Sequence, residues 1–231
     1  MSKKIFHVDT VIFDLDGTLV DTAPDLCAAM NHVLEGLRRP HLELQAVRHM
    51  VGHGVRKLIE TGLNATGGIP QERDMDAEQA LFLTHYRHNI ARLSQPFPGA
   101  LDLIKRLKDN DIALGLCTNK PQDLTVRLLD ALDLHPYFSS VIGGDTLPHC
   151  KPHPMHINQV LHELGDQRDA LMVGDTQTDV DAARASDIPV AVVSFGYSAR
   201  PAIDLGADGV AESFAHLSQM IKIKTHRKTR R

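Results

Sequence analysis

Thr10-Val11-Ile12-Phe13-Asp14-Leu15-Asp16-Gly17-Thr18 is the stretch on which the fold of this chain turns. Its first four residues read as a short, fully buried strand. The strand runs straight into two aspartates one residue apart, and Gly17 then lets the chain turn away with no Cβ in the way. Working outward, four more short apolar runs follow, at 112–117, 141–143, 170–173 and 190–193. Each is bounded by Gly, Asp or Pro, with helical segments between. Continuous apolar strands separated by helices predict a mostly parallel sheet covered on both faces, a doubly wound α/β core.

One segment breaks this rhythm. From 21 to about 93 there is no strand pattern. Asp21 or Thr22 can cap a helix with Pro24 in its first turn, running to about 37. Helices are also expected at 43–50, 55–63 and 76–93. The expected organisation is an α/β core of residues 1–20 and 94–221 and a small all-helical insert, 21–93. Its hinges fall near 20–22 and 94–98, and a basic tail covers 222–231.

With 231 residues and 42% hydrophobic content, the chain can bury one sizeable core and a small second one. Cys27, Cys117 and Cys150 are odd in number and scattered, which argues against a disulfide framework and for a reducing cytosol. No apolar stretch reads as a secretion signal or reaches the length of a membrane span, so no membrane partner is expected. The net charge of −4 conceals a basic end: 222–231 holds six Lys and Arg and no acid. It is read as a solvated terminus and nucleic acid is not expected as a partner; contact with nucleic acid or anionic lipid is the alternative.

In open α/β sheets, ligands collect at the carboxyl ends of the strands. Here those ends carry Asp14 and Asp16, then Thr118-Asn119-Lys120, then Lys151-Pro152 in the loop beyond 141–145, then Gly174-Asp175 with Asp179 four residues on. Several carboxylates converging with a lysine suit a hard divalent cation, Mg2+. Asp14, ionised at neutral pH, needs no base to attack phosphorus. Mg2+ and Lys151 would offset the charge repulsion. The Thr118 hydroxyl and nearby backbone N–H groups, with Asn119, would hold phosphate oxygens. Asp16 can protonate the leaving oxygen and later take a proton from water. Asp175 would be a direct metal ligand, and Asp179 would bind the metal or its water. Singly, each piece could be an ordinary turn, surface charge or helix cap; the four in order, each at a strand end, argue otherwise.

Together, Asp14-Leu15-Asp16-Gly17-Thr18, Thr118-Asn119, Lys151-Pro152 and Gly174-Asp175 with Asp179 resemble the four motifs of the haloacid-dehalogenase-like hydrolase superfamily. The resemblance runs to about residue 220, and the helical insert resembles that family's small cap. Asp21-Thr22-Ala23-Pro24-Asp25, Val51-Gly52-His53-Gly54 and Pro98-Gly99 are similar to the phosphoglycolate-phosphatase type. The resemblance implies a Rossmann-like core, Mg2+ on Asp14, Asp175 and the Asp16 backbone carbonyl, Asp14 as nucleophile and Asp16 as acid/base. It implies hydrolysis of a small phosphate monoester, 2-phosphoglycolate first. Sugar phosphates, nucleotides and pyrophosphate are alternatives, as is a phosphosugar mutase. Family branches that attack carbon, or that use a cap lysine as a Schiff base (Lys57 would be the candidate), lack the second aspartate that Asp16 supplies here.

The insert should choose the substrate. Gly52-His53-Gly54 precedes a helix start, where N–H groups can receive an anion, with His53 or Arg56 adding charge. Alternatively these glycines simply end one helix and begin the next. His149, His153 and His156 are read as loop residues rather than a zinc site, since Pro152 and Pro154 interrupt any common face. Cys150 is read as a small loop residue. Leu81, His85 and His88 are read as an edge of the insert's core.

Overall fold

The computed structural model describes residues 4–69, 74–165 and 169–224. A six-stranded, all-parallel sheet forms the centre. In chain order its strands are β2 (Thr10–Phe13), β5 (Ala113–Cys117), β6 (Ser140–Ile142), β7 (Ala170–Gly174), β8 (Val190–Val193) and β9 (Gly209–Ala211). They lie side by side as β6-β5-β2-β7-β8-β9. The order reverses at β2, whose neighbours are the two strands carrying the later motifs. Phe13 is level with Leu116 on one side and Val173 on the other, so the residues just beyond these three strands emerge on one edge.

The strands are apolar on both faces, as the unbroken runs require. Val11, Phe13, Leu171, Val173, Ala191 and Val193 point to the side packed by α5 (Ala100–Asp109), α6 (Gln122–Ala131) and α9 (Phe214–Met220). Ile12, Met172, Val190 and Val192 point the other way, to α7 (Met155–Glu163) and α8 (Gln177–Ala185). A Cβ on Gly115 would collide with Val160, so α7 presses directly onto the β5 backbone.

Between the short antiparallel strands β3 (Val20–Asp21) and β4 (Gln95–Pro96) lie four helices: α1 (Ala23–Gly36), α2 (Leu44–Arg48), α3 (Val55–Ala65) and α4 (Met75–His88). They share a cluster built on Met30, Leu34, Ile59, Leu63, Phe82 and Tyr86.

Four local expectations are corrected. Helix α4 ends at His88, not near 93, because the Asn89 side chain turns back to the His85 carbonyl. Thr22 precedes α1 but makes no side-chain cap; the N–H of Ala23 is received by the Tyr197 hydroxyl instead, at 2.9 Å. The chain also forms a strand, β9, and a parallel pair, β1 (Phe6–Val8) with β10 (Ile221–Ile223), too short to register as patterns. The tail boundary therefore moves: Lys222 lies in β10, and Lys224 pairs with Asp169 at 2.6 Å. Residues 225–231 lie outside the described residues.

Candidate active site

The three central strands end beside one another, and each contributes an acid or hydroxyl. Asp14 continues β2 by one rung, its N–H bonding the Val173 carbonyl at 2.9 Å. Thr118 does the same beyond β5, bonding the Ile142 carbonyl at 3.1 Å. Asp175 follows β7, and Asp179 sits in the first turn of α8 in a capping box with Thr176. Asp14, Asp175 and Asp179 are all buried, and one oxygen of each lies within 4.8 Å of the others.

Lys151 reaches into this cluster from the loop after β6. Its Nζ lies 2.9 Å from Asp14 Oδ1 and 2.6 Å from Asp179 Oδ1. Burial alone would lower the lysine's pKa; the two carboxylates outweigh it and hold the pKa above its ordinary value. Burial pushes the Asp14 carboxyl up to about 6, against the pull of Lys151. Burial, then Asp179 and Asp14, raise Asp175 well above its usual range, although Tyr197 N–H (2.6 Å) and Thr18 Oγ1 (2.9 Å) both donate to it. Burial raises Asp179 too, yet Lys151 and the Thr176 donors outweigh it and keep it low.

This cluster fits a divalent cation. Three buried carboxylates face one ammonium, more acid than a single lysine can balance, and every donor is a hard oxygen. Gly17 permits the approach. At φ 83° its missing Cβ would stand 2.6 Å from Asp175 Oδ2.

Asp16 leans to the other side of the cavity. Its carboxylate receives the Lys120 ammonium at 3.1 and 3.3 Å. Thr118 Oγ1 accepts from Lys120 N–H at 3.2 Å. The Asn119 side-chain amide donates to the Gly52 and Lys151 carbonyls, at 3.1 and 3.0 Å. Both its N–H groups are engaged, so this side chain brackets the insert against the Lys151 loop rather than presenting a free donor to phosphate.

The expected insert residues divide. Gly54, the residue before α3 at φ 85°, lines the cavity together with Leu26, Val51, Gly52, Val55 and Leu58. His53 is exposed and does not line it. Arg56 turns outward, 2.6 Å from Asp76 and 3.7 Å from Glu60. The charge expected from these two is replaced by an apolar wall. Lys57 is likewise exposed and pairs with Glu60. Among the described residues, His149, His153 and His156 do not form a metal-ligand group.

Sequence reasoning placed Lys120 at a strand end but gave it no role, and it passed over Tyr86 and Tyr197. Lys120 had a signal, standing three residues past a strand end. Tyr86, inside a helix, and Tyr197, in the loop after β8, had none.

A sequence profile of the haloacid dehalogenase-like hydrolases matches residues 11–193. The chain belongs to this family. Among curated relatives, a phosphoglycolate phosphatase from Caulobacter vibrioides is 44% identical, over 89% of this chain and 87% of that one. One from Rhodospirillum rubrum is 42% identical, over 91% and 90%. The crystal structure of a predicted phosphoglycolate phosphatase from Haemophilus somnus superposes with a TM-score of 0.86 at 27% identity, covering 92% of this chain and 97% of that one. Family and relatives together place the chain among the phosphoric monoester hydrolases. Among the described residues, no helix is long and apolar enough to cross a membrane.

Proposed function

We propose that this protein hydrolyses a small phosphate monoester, 2-phosphoglycolate, through an aspartyl-phosphate on Asp14, with Mg2+ as cofactor. The observation that carries the reading is the setting of Asp14: a carboxylate at a strand tip, 2.9 Å from a buried ammonium, on the wall of a cavity shared with Asp16 and Thr118.

An oxygen of Asp14 attacks phosphorus while the ester P–O bond breaks, and Asp16 delivers its proton to the departing oxygen to give the alcohol. Water then attacks the same phosphorus, Asp16 takes a proton from it, and the bond to Asp14 breaks to release phosphate. Lys151 and the Thr118 hydroxyl hold the oxygens on which charge grows. Mg2+, held by Asp14, Asp175 and the Asp16 carbonyl, with Asp179 as ligand or as partner to its water, would offset the repulsion between Asp14 and an anionic phosphate.

The relatives' names support 2-phosphoglycolate. Residues 21–93 would act as the cavity's cap, offering apolar side chains and the N–H groups at the start of α3 to the carboxylate end. The three free cysteines suit a reducing cytosol.

The test is phosphate release from a panel of phosphorylated acids, sugars and nucleotides, with and without Mg2+. We expect Mg2+-dependent release, fastest from 2-phosphoglycolate, and at least a thousandfold loss in Asp14→Asn with folding intact. Full activity in that variant would exclude the covalent route, and isomer formation without free phosphate would make the protein a mutase.

A further inference from the structure

Lys120 is a buried ammonium that the reaction above does not use. Its side chain is 3% exposed and has three N–H donors. Asp16 takes up one side of it, with oxygens at 3.1 and 3.3 Å. On the other side stands the hydroxyl of Tyr86, accepting at 2.8 Å, with the ring centroid 4.6 Å from Nζ. Tyr86 is fully buried and belongs to α4, in the helical insert, while Lys120 and Asp16 belong to the core. Burial pushes the Tyr86 phenol up to about 12, so its oxygen stays a neutral acceptor at working pH.

We propose that Tyr86 and Lys120 are positioning residues for Asp16, the tyrosine hydroxyl fixing the ammonium and the ammonium fixing the carboxylate that handles the leaving-group proton. The inference rests on the phosphatase reading and deepens it. Without the hydroxyl, the ammonium keeps its ring contact but loses the acceptor that sets its direction, and Asp16 loses a fixed neighbour. The insert then contributes to proton transfer as well as to substrate choice. Tyr86 is the acceptor that keeps Lys120 in place beside Asp16.

The leaving group separates this role from a structural one. An alkyl phosphate needs its departing oxygen protonated, whereas p-nitrophenyl phosphate releases a stable phenolate without help. For Tyr86→Phe we expect kcat on 2-phosphoglycolate to fall about tenfold. The pre-steady-state burst of p-nitrophenolate should fall at least fivefold less, with KM values within about twofold. Equal losses on both substrates, or no loss on either, would overturn the proposal. Lys120→Met should give the same selective loss, and Tyr86→Phe should add almost nothing in that background; losses that multiply would show that Tyr86 does not act through Lys120. A wild-type protein inert toward both substrates would remove the phosphatase reading and this inference together. An active wild type with unselective variants would remove the inference alone.

Discussion

Lys151 lies between Asp14 and Asp179 with almost no exposure, and an ammonium so placed is stable only because both carboxylates are there. Removing one partner of such a group costs about 3–5 kcal/mol, since the other is left buried and unpaired. His156, fully buried in the first turn of α7, has no such support. Burial lowers its pKa by more than the Leu147 carbonyl raises it; Lys151, Asp145 and His153 are the charged or titratable groups around it. An unfolded histidine takes up its proton near pH 6.5, and this one does so only at lower pH. The unfolded chain therefore binds more protons below about pH 6.5, and stability falls there by up to about 1.4 kcal/mol per pH unit. Urea unfolding of His156→Leu should show a flatter dependence between pH 6.5 and 5 than wild type; parallel curves would contradict this. The motif residues were legible because short apolar runs end in them. Tyr86 and Tyr197 were not, because an aromatic on a helix face or in a loop carries no mark of its distant partner.

At the scale of elements, one side chain ties down the return from the insert beside the β3–β4 pair. Asp25, in the first turn of α1, accepts from Leu93 N–H at 3.0 and 3.1 Å, from Ser94 N–H at 2.8 Å and from Ser94 Oγ at 2.6 Å. It is 1% exposed. Asp25→Ala should cost about 2–3 kcal/mol in equilibrium urea unfolding, because two N–H groups and a hydroxyl lose their acceptor and those of Ser94 are buried. A change below about 0.5 kcal/mol would show that the two hinge segments hold without it. Unbroken apolar runs such as Val190–Val193 were readable as strands to the residue. Gly209–Ala211 and the β1–β10 pair were not, since three residues are too few to display an alternation and their pairing is set by distant chain. The end of α4 was misplaced for a related reason, as Asp25 claims the backbone just beyond it.

For the molecule as a whole, the parallel sheet and the convergence of acids on its edge followed from the order of strands and helices. The charge state of that edge did not, because it depends on burial. Two carboxylates in excess of the one ammonium, buried side by side at the sheet edge, should make the protein respond to its cation as a whole. At a free Mg2+ concentration of 100 Kd, binding contributes about 2.7 kcal/mol, which for a chain of this size raises Tm by about 5–10 °C. Thermal unfolding with and without Mg2+ would show it, and Asp175→Asn should abolish the shift; an unchanged Tm in wild type, or a shift retained in the variant, would count against the site. Tyr197 carries a consequence of another kind. Its N–H holds Asp175, and its hydroxyl meets Asp21 in β3 at 2.6 Å and the first N–H of α1 at 2.9 Å. The helical insert is thus contiguous in sequence but not self-contained, since the acceptor that completes its first helix belongs to the loop after β8. An insert transplanted between members of this family on the strength of its two chain junctions would arrive without that acceptor, and a working chimera has to exchange residues 194–198 along with it.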